Sequence, residues 1–196
     1  MKIGVAARPK VGETVSGDAY YLADVGGQTL VCLIDGIGHG EEGHNASAKM
    51  VQFLEENGSL DLDELIVRGH QELRGTRGAV VGVALIRERD NFISYAGIGN
   101  ISAVVVDTAD GGTGAVPARH LISVGGIVGC NLRKVKKFEC PYRGGDALIM
   151  YTDGVSSRFS PSDYVDSASE PQEIADRILK EQGKDNDDAT VIVIER

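Results

Sequence analysis

Apolar residues along this chain follow two rhythms, and the points where the rhythm changes mark out the elements. Lys2-Ile3-Gly4-Val5-Ala6-Ala7 reads as a short first strand. Residues 18–35 carry two strand-like runs separated by Gly26-Gly27, the pair expected at a two-residue hairpin turn. After a loop at 36–40 the spacing becomes helical, with Ala46, Met50, Phe53 and Leu54 on one face. Glu41-Glu42 suit the first turn, beside the positive end of the helix dipole, and Asn57-Gly58 stops the helix near Glu56. Asp61 followed by Glu64 predicts a capping box for a second helix, with Leu62, Leu65, Ile66 and Leu73 as its apolar face and Gly75 at its end. Strand-like runs then return at 79–86, 92–98, 101–106, 135–140 and 147–152, with a polar turn at 87–91. Ser169 with Gln172 is expected to cap a third helix to about Lys180, and 189–194 is the last strand. Residues 107–129 are Gly-rich without a clear rhythm, and 158–166 read as loop.

The order β-ββ-αα-βββ-ββ-α-β does not alternate strand and helix one for one. It therefore predicts an α+β fold of mostly antiparallel sheets with helices packed outside, not a parallel doubly wound sheet. A length of 196 residues suits one domain spanning 1–196.

Candidate chemistry lies at the strand ends. The run Leu30-Val31-Cys32-Leu33-Ile34 ends in Asp35-Gly36, and Ala147-Leu148-Ile149-Met150-Tyr151-Thr152 ends in Asp153-Gly154. Asp18 and Asp187-Asp188 instead precede strands. A two-residue turn at 26–27 sets Asp18 directly opposite Asp35, and like charges so placed are destabilising. Either the acids never meet, or cations hold them together. Oxygen donors without Cys or His suit Mg²⁺ or Mn²⁺ better than zinc. A single Asp-Gly after an apolar run is ordinarily a turn; the doubled pattern with two further acids is what points to a metal site.

Charge and cysteines narrow the class. A net charge of −9 argues against nucleic-acid binding, and we read no basic stripe along the chain. Cys32, Cys130 and Cys140 are odd in number and lack Cys-x-x-Cys spacing, which fits a reduced compartment and no catalytic use. No secretory leader and no run long enough to cross a bilayer is found, so a cytoplasmic protein without membrane partners is expected. His44, His70 and His120 share no ligand spacing and are expected to be structural or on the surface.

Gly17-Asp18, Asp35-Gly36, Gly78-Ala79, Gly99-Asn100, Thr152-Asp153-Gly154 and Asp187-Asp188-Ala189-Thr190 occur in that order across nearly the whole chain. Together they resemble the metal-dependent serine/threonine phosphatases of the PPM class, in the short bacterial branch of sporulation and stress-response phosphatases. The resemblance implies a four-layer α-β-β-α sandwich with a centre of two Mn²⁺ or Mg²⁺ ions. Asp35 would bridge the ions and Gly36 would offer its carbonyl; Asp153 and Asp187 would complete one shell, and Asp18 would hold water near the other ion. The implied chemistry is in-line attack of a metal-activated hydroxide on phosphorus, without a phosphoenzyme. The implied partner is a protein phosphorylated on serine or threonine, a stressosome or anti-sigma regulatory component, met by a monomeric enzyme.

The chain departs from the family at several points. Gly17 stands where many members have Glu, Ile37 where eukaryotic members have a His, and Asn100 where an Asp binds a third metal, so two metals are expected. His39 is expected to be solvated, with water protonating the leaving group. No Arg closely precedes Asp18, which leaves Arg8 and Lys10 to hold phosphate. Two rivals remain: a pseudophosphatase that binds phosphoprotein without turnover, and a hydrolase of small phosphoesters.

Overall fold

The hairpin forms in the register its turn dictates. In the computed structural model, which describes residues 1–38, 40–107, 118–165 and 169–196, β1 spans Lys2–Arg8, β2 Asp18–Val25 and β3 Gln28–Gly36. Gly26 and Gly27 join the last two with φ of 63° and 78°, the paired left-handed geometry of a type I′ turn. Val25 consequently faces Gln28, and Asp18 faces Asp35.

Two helices follow, α1 at Gly40–Asn57 and α2 at Leu62–Glu72. Then come β4 (Ala79–Arg87), β5 (Phe92–Ile98), β6 (Ser102–Val106), β7 (Ala118–Leu121), β8 (Ser123–Val124), β9 (Lys137–Pro141) and β10 (Ala147–Tyr151). Helix α3 (Pro171–Gln182) and strand β11 (Ala189–Glu195) end the chain. One sheet has the order β2-β3-β4-β5-β8 with β9 also beside β5, and the other β1-β11-β10-β6-β7. Among the described residues the strand pairings are antiparallel except that of β5 with β8.

Alternation along the strands sorts the apolar residues into three layers of core. Leu30, Cys32 and Ile34 of β3 face α1 and α2, where they meet Met50, Leu54, Leu65 and Ile66. Val31 and Leu33 face the other sheet, against Leu148, Met150, Ile192 and Ile194. The back of that second sheet, through Ile149, Val191 and Val193, receives Ile174, Ala175 and Ile178 of α3. The order is therefore helix, sheet, sheet, helix, the four-layer α+β sandwich the resemblance implied. Helix α3 sits close because Gly4 carries no side chain: a Cβ there would lie 2.3 Å from the Pro171 backbone.

Local signals were less reliable at the helix ends. Asp61 does occupy the N-cap of α2, but its side chain makes no cap bond, and the helix stops at Glu72, short of Gly75. Helix α3 begins at Pro171, not at a Ser169 cap. Proline suits the first helical position because no N–H is needed there, and the Glu173 carboxylate accepts the Glu170 N–H at 3.3 Å. Strands β7 and β8 interrupt the Gly-rich stretch read as featureless. Only Leu121 of β7 is buried, so that strand has almost no apolar signal.

Candidate active site

Four strand ends meet at one end of the sandwich. Asp35 closes β3 just before Gly36, Asp18 opens β2, Asp153 follows β10 and Asp187 precedes β11. Asp18 and Asp35 are direct cross-strand partners. The sheets are tied together here: the Thr152 hydroxyl donates to Asp18 Oδ2 at 2.8 Å, and the Thr190 N–H donates to Thr152 Oγ1 at 3.0 Å. A cleft of about 550 Å³ opens beside them, lined by Lys10, Asp35, Ile37, Asn100, Asp153 and Asp187 among others.

These acids feel one another. Burial lifts the Asp35 carboxyl to about 8, and the charges of Asp18, Asp153, Asp187 and Asp188 push the same way. Burial lifts Asp18 to about 7, partly offset by the Thr152 hydrogen bond and reinforced by Asp188 and Asp187. Asp187 is raised by burial and then by Asp153. Such a set, all oxygen and short of positive charge, has the donor chemistry of a hard divalent cation. Among the described residues, however, no three His, Cys, Asp or Glu side chains converge closely enough to hold an ion. Like-charged carboxylates hold apart, and Asp153 Oδ2 is taken by the Asn100 amide at 2.7 Å.

Both Asp-Gly steps are forced by close backbone approach. A Cβ on Gly36 would lie 2.0 Å from the Gly43 carbonyl oxygen at the start of α1, and one on Gly154 would lie 1.8 Å from that of Asp188. Neither glycine has positive φ. So these glycines let a helix and a second strand press against the acid-bearing ends, and the ordinary turn explanation does not apply.

Asp188 has a role that sequence reasoning missed. It is 4% exposed and accepts the Lys10 N–H through Oδ1 and the Gly17 N–H through Oδ2, each at 2.8 Å. One buried carboxylate thus fixes the 10–17 loop and, through it, both Asp18 and Lys10. Gly17 fits this contact, since a Cβ there would be only 3.0 Å from Asp188 Oδ2. Adjacent acids entering a strand must face opposite ways, which was the available signal. Of the two cations considered for phosphate, Lys10 lines the cleft and Arg8 pairs with Asp185 at 3.2 Å. His44 lies 3.2 Å from the Ser16 carbonyl, and His70 accepts the Gly129 N–H at 2.9 Å, both structural contacts. His120 lies on the edge strand β7, and His39 lies outside the described residues. One short basic cluster is present, though not a stripe: Arg133, Lys134, Lys136 and Lys137 fall within five residues, all exposed.

The sequence matches the family model described as Stage II sporulation protein E (SpoIIE) over residues 25–196. The chain belongs to the SpoIIE family. Phosphoserine phosphatase RsbX of Bacillus subtilis (strain 168) is 23% identical over 147 residues, 75% of this chain and 71% of that protein. Stage II sporulation protein E of the same organism is 26% identical over 216 residues, covering 97% of this chain but only 25% of its own length. A chain solved in work on the bacterial stressosome superposes with a TM-score of 0.89 at 26% identity, covering 98% of this chain and 97% of its own. A crystal structure of RsbX in complex with magnesium superposes at 0.84 with 21% identity, over 96% of this chain and 92% of that one. The SpoIIE-family fold here is thus that of PP2C-type phosphatase domains. Among the described residues, no helix is long and apolar enough to cross a membrane.

Proposed function

We propose that this SpoIIE-family phosphatase uses two divalent ions, Mn²⁺ or Mg²⁺, to remove phosphate from serine or threonine of a stress-signalling protein. That protein would be a stressosome or anti-sigma regulatory component in the cytoplasm. The observation that carries the reading is the direct opposition of Asp18 and Asp35 at an end of the sandwich that also gathers Asp153 and Asp187. The relative named a phosphoserine phosphatase and the magnesium-bound neighbour support the substrate class and the choice of cation.

In this reading the Asp35 carboxylate, the Gly36 carbonyl, Asp153 and Asp187 would hold the ions, and Asp18 would hold water beside them. When bound, divalent ions supply Lewis acidity, easing formation of a nucleophile from water and stabilising charge on the phosphoryl oxygens. The chain's own residues do the positioning. Thr152 holds one oxygen of Asp18 and so fixes the orientation of that carboxyl. Asp188 fixes the Lys10 backbone, so that the ammonium can meet a phosphate oxygen. Asn100 orients Asp153. The departing serine or threonine oxygen takes its proton from water.

Turnover of p-nitrophenyl phosphate and of a phosphoserine protein, each with and without Mn²⁺, tests this. Metal-dependent turnover with a strong preference for the protein is expected. Turnover in chelator would overturn the metal role, and preference for the small ester would favour a small-phosphoester hydrolase. One observation favours a pseudophosphatase: among the described residues no three donors converge, and Asn100 occupies an oxygen of Asp153. Phosphoprotein binding without turnover at saturating Mn²⁺ would establish it.

A further inference from the structure

The cations of this chain are unevenly distributed. Arg133, Lys134, Lys136 and Lys137 are clustered in a protein of net charge −9. Among the described residues none of them makes a salt bridge; Lys137 contributes only its charge to holding the Glu139 carboxyl below its ordinary value, behind the bonds from Arg87 and Ser94. Four long side chains kept in water, with no salt bridge among the described residues, set up a local positive field.

The strap that carries them is anchored. Leu132 and Val135 pack against the core beneath α1 and α2, which turns the residues between and after them outward. The preceding turn is closed by reciprocal bonds between Ile127 and Asn131 at 3.0 and 2.8 Å, and His70 braces it through Gly129. The turn that leads into the strap reaches the acidic cleft, and the strap itself ends a short way along the sheet from it. Gly126 and Ile127 line the cleft directly. Lys137 pairs with Ala96 of β5, three residues before Gly99, which also lines it. At about 3.3 Å per residue, that places Lys137 roughly 10 Å along the sheet from the cleft wall.

We propose that the 133–137 strap is a docking surface for an acidic segment of the protein substrate, flanking its phosphorylated residue. This rests on the phosphatase reading above. A cleft walled by carboxylates repels an acidic polypeptide. An adjacent patch of opposite sign draws the same polypeptide in and fixes its direction, so that the phosphorylated residue reaches the cleft. Because an extended peptide covers ~10 Å in about three residues, the favoured acids lie about three to six positions from the phosphorylated residue. Nucleic acid fits less well, because a single short strap on an acidic protein offers no stripe along which a phosphate backbone could run.

The test uses two phosphoserine peptides that differ only in carrying three Glu or three Gln at those positions, with p-nitrophenyl phosphate as a reference. The proteins are the Mn²⁺-loaded wild type, the single reversal Lys136→Glu, and a fourfold neutral variant (Arg133→Gln, Lys134→Gln, Lys136→Gln, Lys137→Gln). Arg89→Glu, in the exposed turn at the far end of β4 and β5, serves as the control for net charge. We expect wild-type kcat/KM to favour the acidic peptide by about tenfold at low salt, and the preference to shrink at high salt. It should fall in Lys136→Glu, disappear in the fourfold variant and persist in Arg89→Glu. Equal rates on both peptides in the wild type, or a preference that survives in the fourfold variant, would overturn the proposal. So would a fourfold variant that loses turnover of the small ester and both peptides alike, since the strap would then be structural.

If no substrate is turned over, the phosphatase reading fails, and fluorescence anisotropy of the labelled acidic peptide still decides the docking surface. Binding weakened in the fourfold variant supports it, and equal binding refutes it. Tighter strap-dependent binding of duplex DNA or of phosphatidylglycerol vesicles than of the acidic peptide would assign the patch to a different partner and also refute it.

Discussion

Asp188, buried, and Asp35, half-buried, are carboxylates at the same end of the sandwich, and the fold treats them in opposite ways. Each oxygen of Asp188 receives a backbone N–H at 2.8 Å, so its charge is matched by the chain itself. Asp35 faces another carboxylate across the ladder, and burial together with neighbouring acids raises it to about 8. A third case lies elsewhere: Asp146, 1% exposed, accepts from Arg119 at 3.0 Å and from the Arg143 N–H at 2.9 Å. Carboxylates supplied with donors by the chain hold structure together. Those supplied with like charge lower stability unless an outside cation compensates them, and a strongly shifted carboxyl in a cleft is a candidate functional group.

The sharpest way to break this contrast is to remove one acid of each kind. Asp35→Ala should lose at least about 10²-fold in kcat on p-nitrophenyl phosphate with Mn²⁺, the scale of removing a transition-state stabiliser. Its metal-free stability should hold or rise. A variant retaining full turnover would end the metal-centre reading.

Asp146→Ala should do the reverse. Removing the Asp146 carboxylate leaves the Arg143 N–H without its acceptor and strips Arg119 of one of its partners, which costs about 2 kcal/mol in urea denaturation, while turnover of the small ester by the folded protein changes little. Asp188→Ala should combine both effects, about 2 kcal/mol from two orphaned N–H groups and a fall in kcat as the loop carrying Lys10 and Asp18 loosens.

The pH dependence should separate the two kinds as well. Asp18 and Asp35 have folded-state values of about 7 and 8 against an ordinary 3.8. The folded protein therefore holds protons that the unfolded chain has released. Stability of metal-free protein should fall as pH rises from about 4 to about 8 and then level off. Urea midpoints in chelator measure this, and Asp35→Asn should flatten the slope. A midpoint that climbs over that range would contradict the assignment.

The smallest effect concerns metal and melting. Millimolar Mn²⁺ should raise the melting temperature reversibly, because a cation that binds only the folded state stabilises it by mass action. Asp18→Asn should raise the metal-free melting temperature slightly and diminish the response to Mn²⁺. An unchanged melting curve at saturating Mn²⁺ would mean the acids do not share a cation.

How much of this was visible in the chain depended on range. Gly26-Gly27 between two strand-like runs specifies a hairpin locally, and the opposition of Asp18 and Asp35 follows from that register alone. The four layers were anticipated from the family resemblance, and strands such as β3, apolar on both faces, are what that arrangement buries. The Thr152–Asp18 bond joins residues 134 positions apart, and no local pattern announces it. The division of labour between Asp187 and Asp188 likewise depends on which side of β11 meets the 10–17 loop. Strand β7 was missed because a mostly exposed edge leaves little apolar imprint.

The contact between Gln172 and Val5 has a consequence for self-association. Strand β1 is the border of its sheet, and a bare border invites another chain to join it. Gln172 takes the outward N–H of Val5 at 3.0 Å and gives its own amide to the Val5 carbonyl at 2.8 Å. A single side chain thereby imitates the missing neighbour, and the sheet cannot be lengthened there by a second copy. Crowded molecules of this protein would slide past one another along that border without zipping into a fibre.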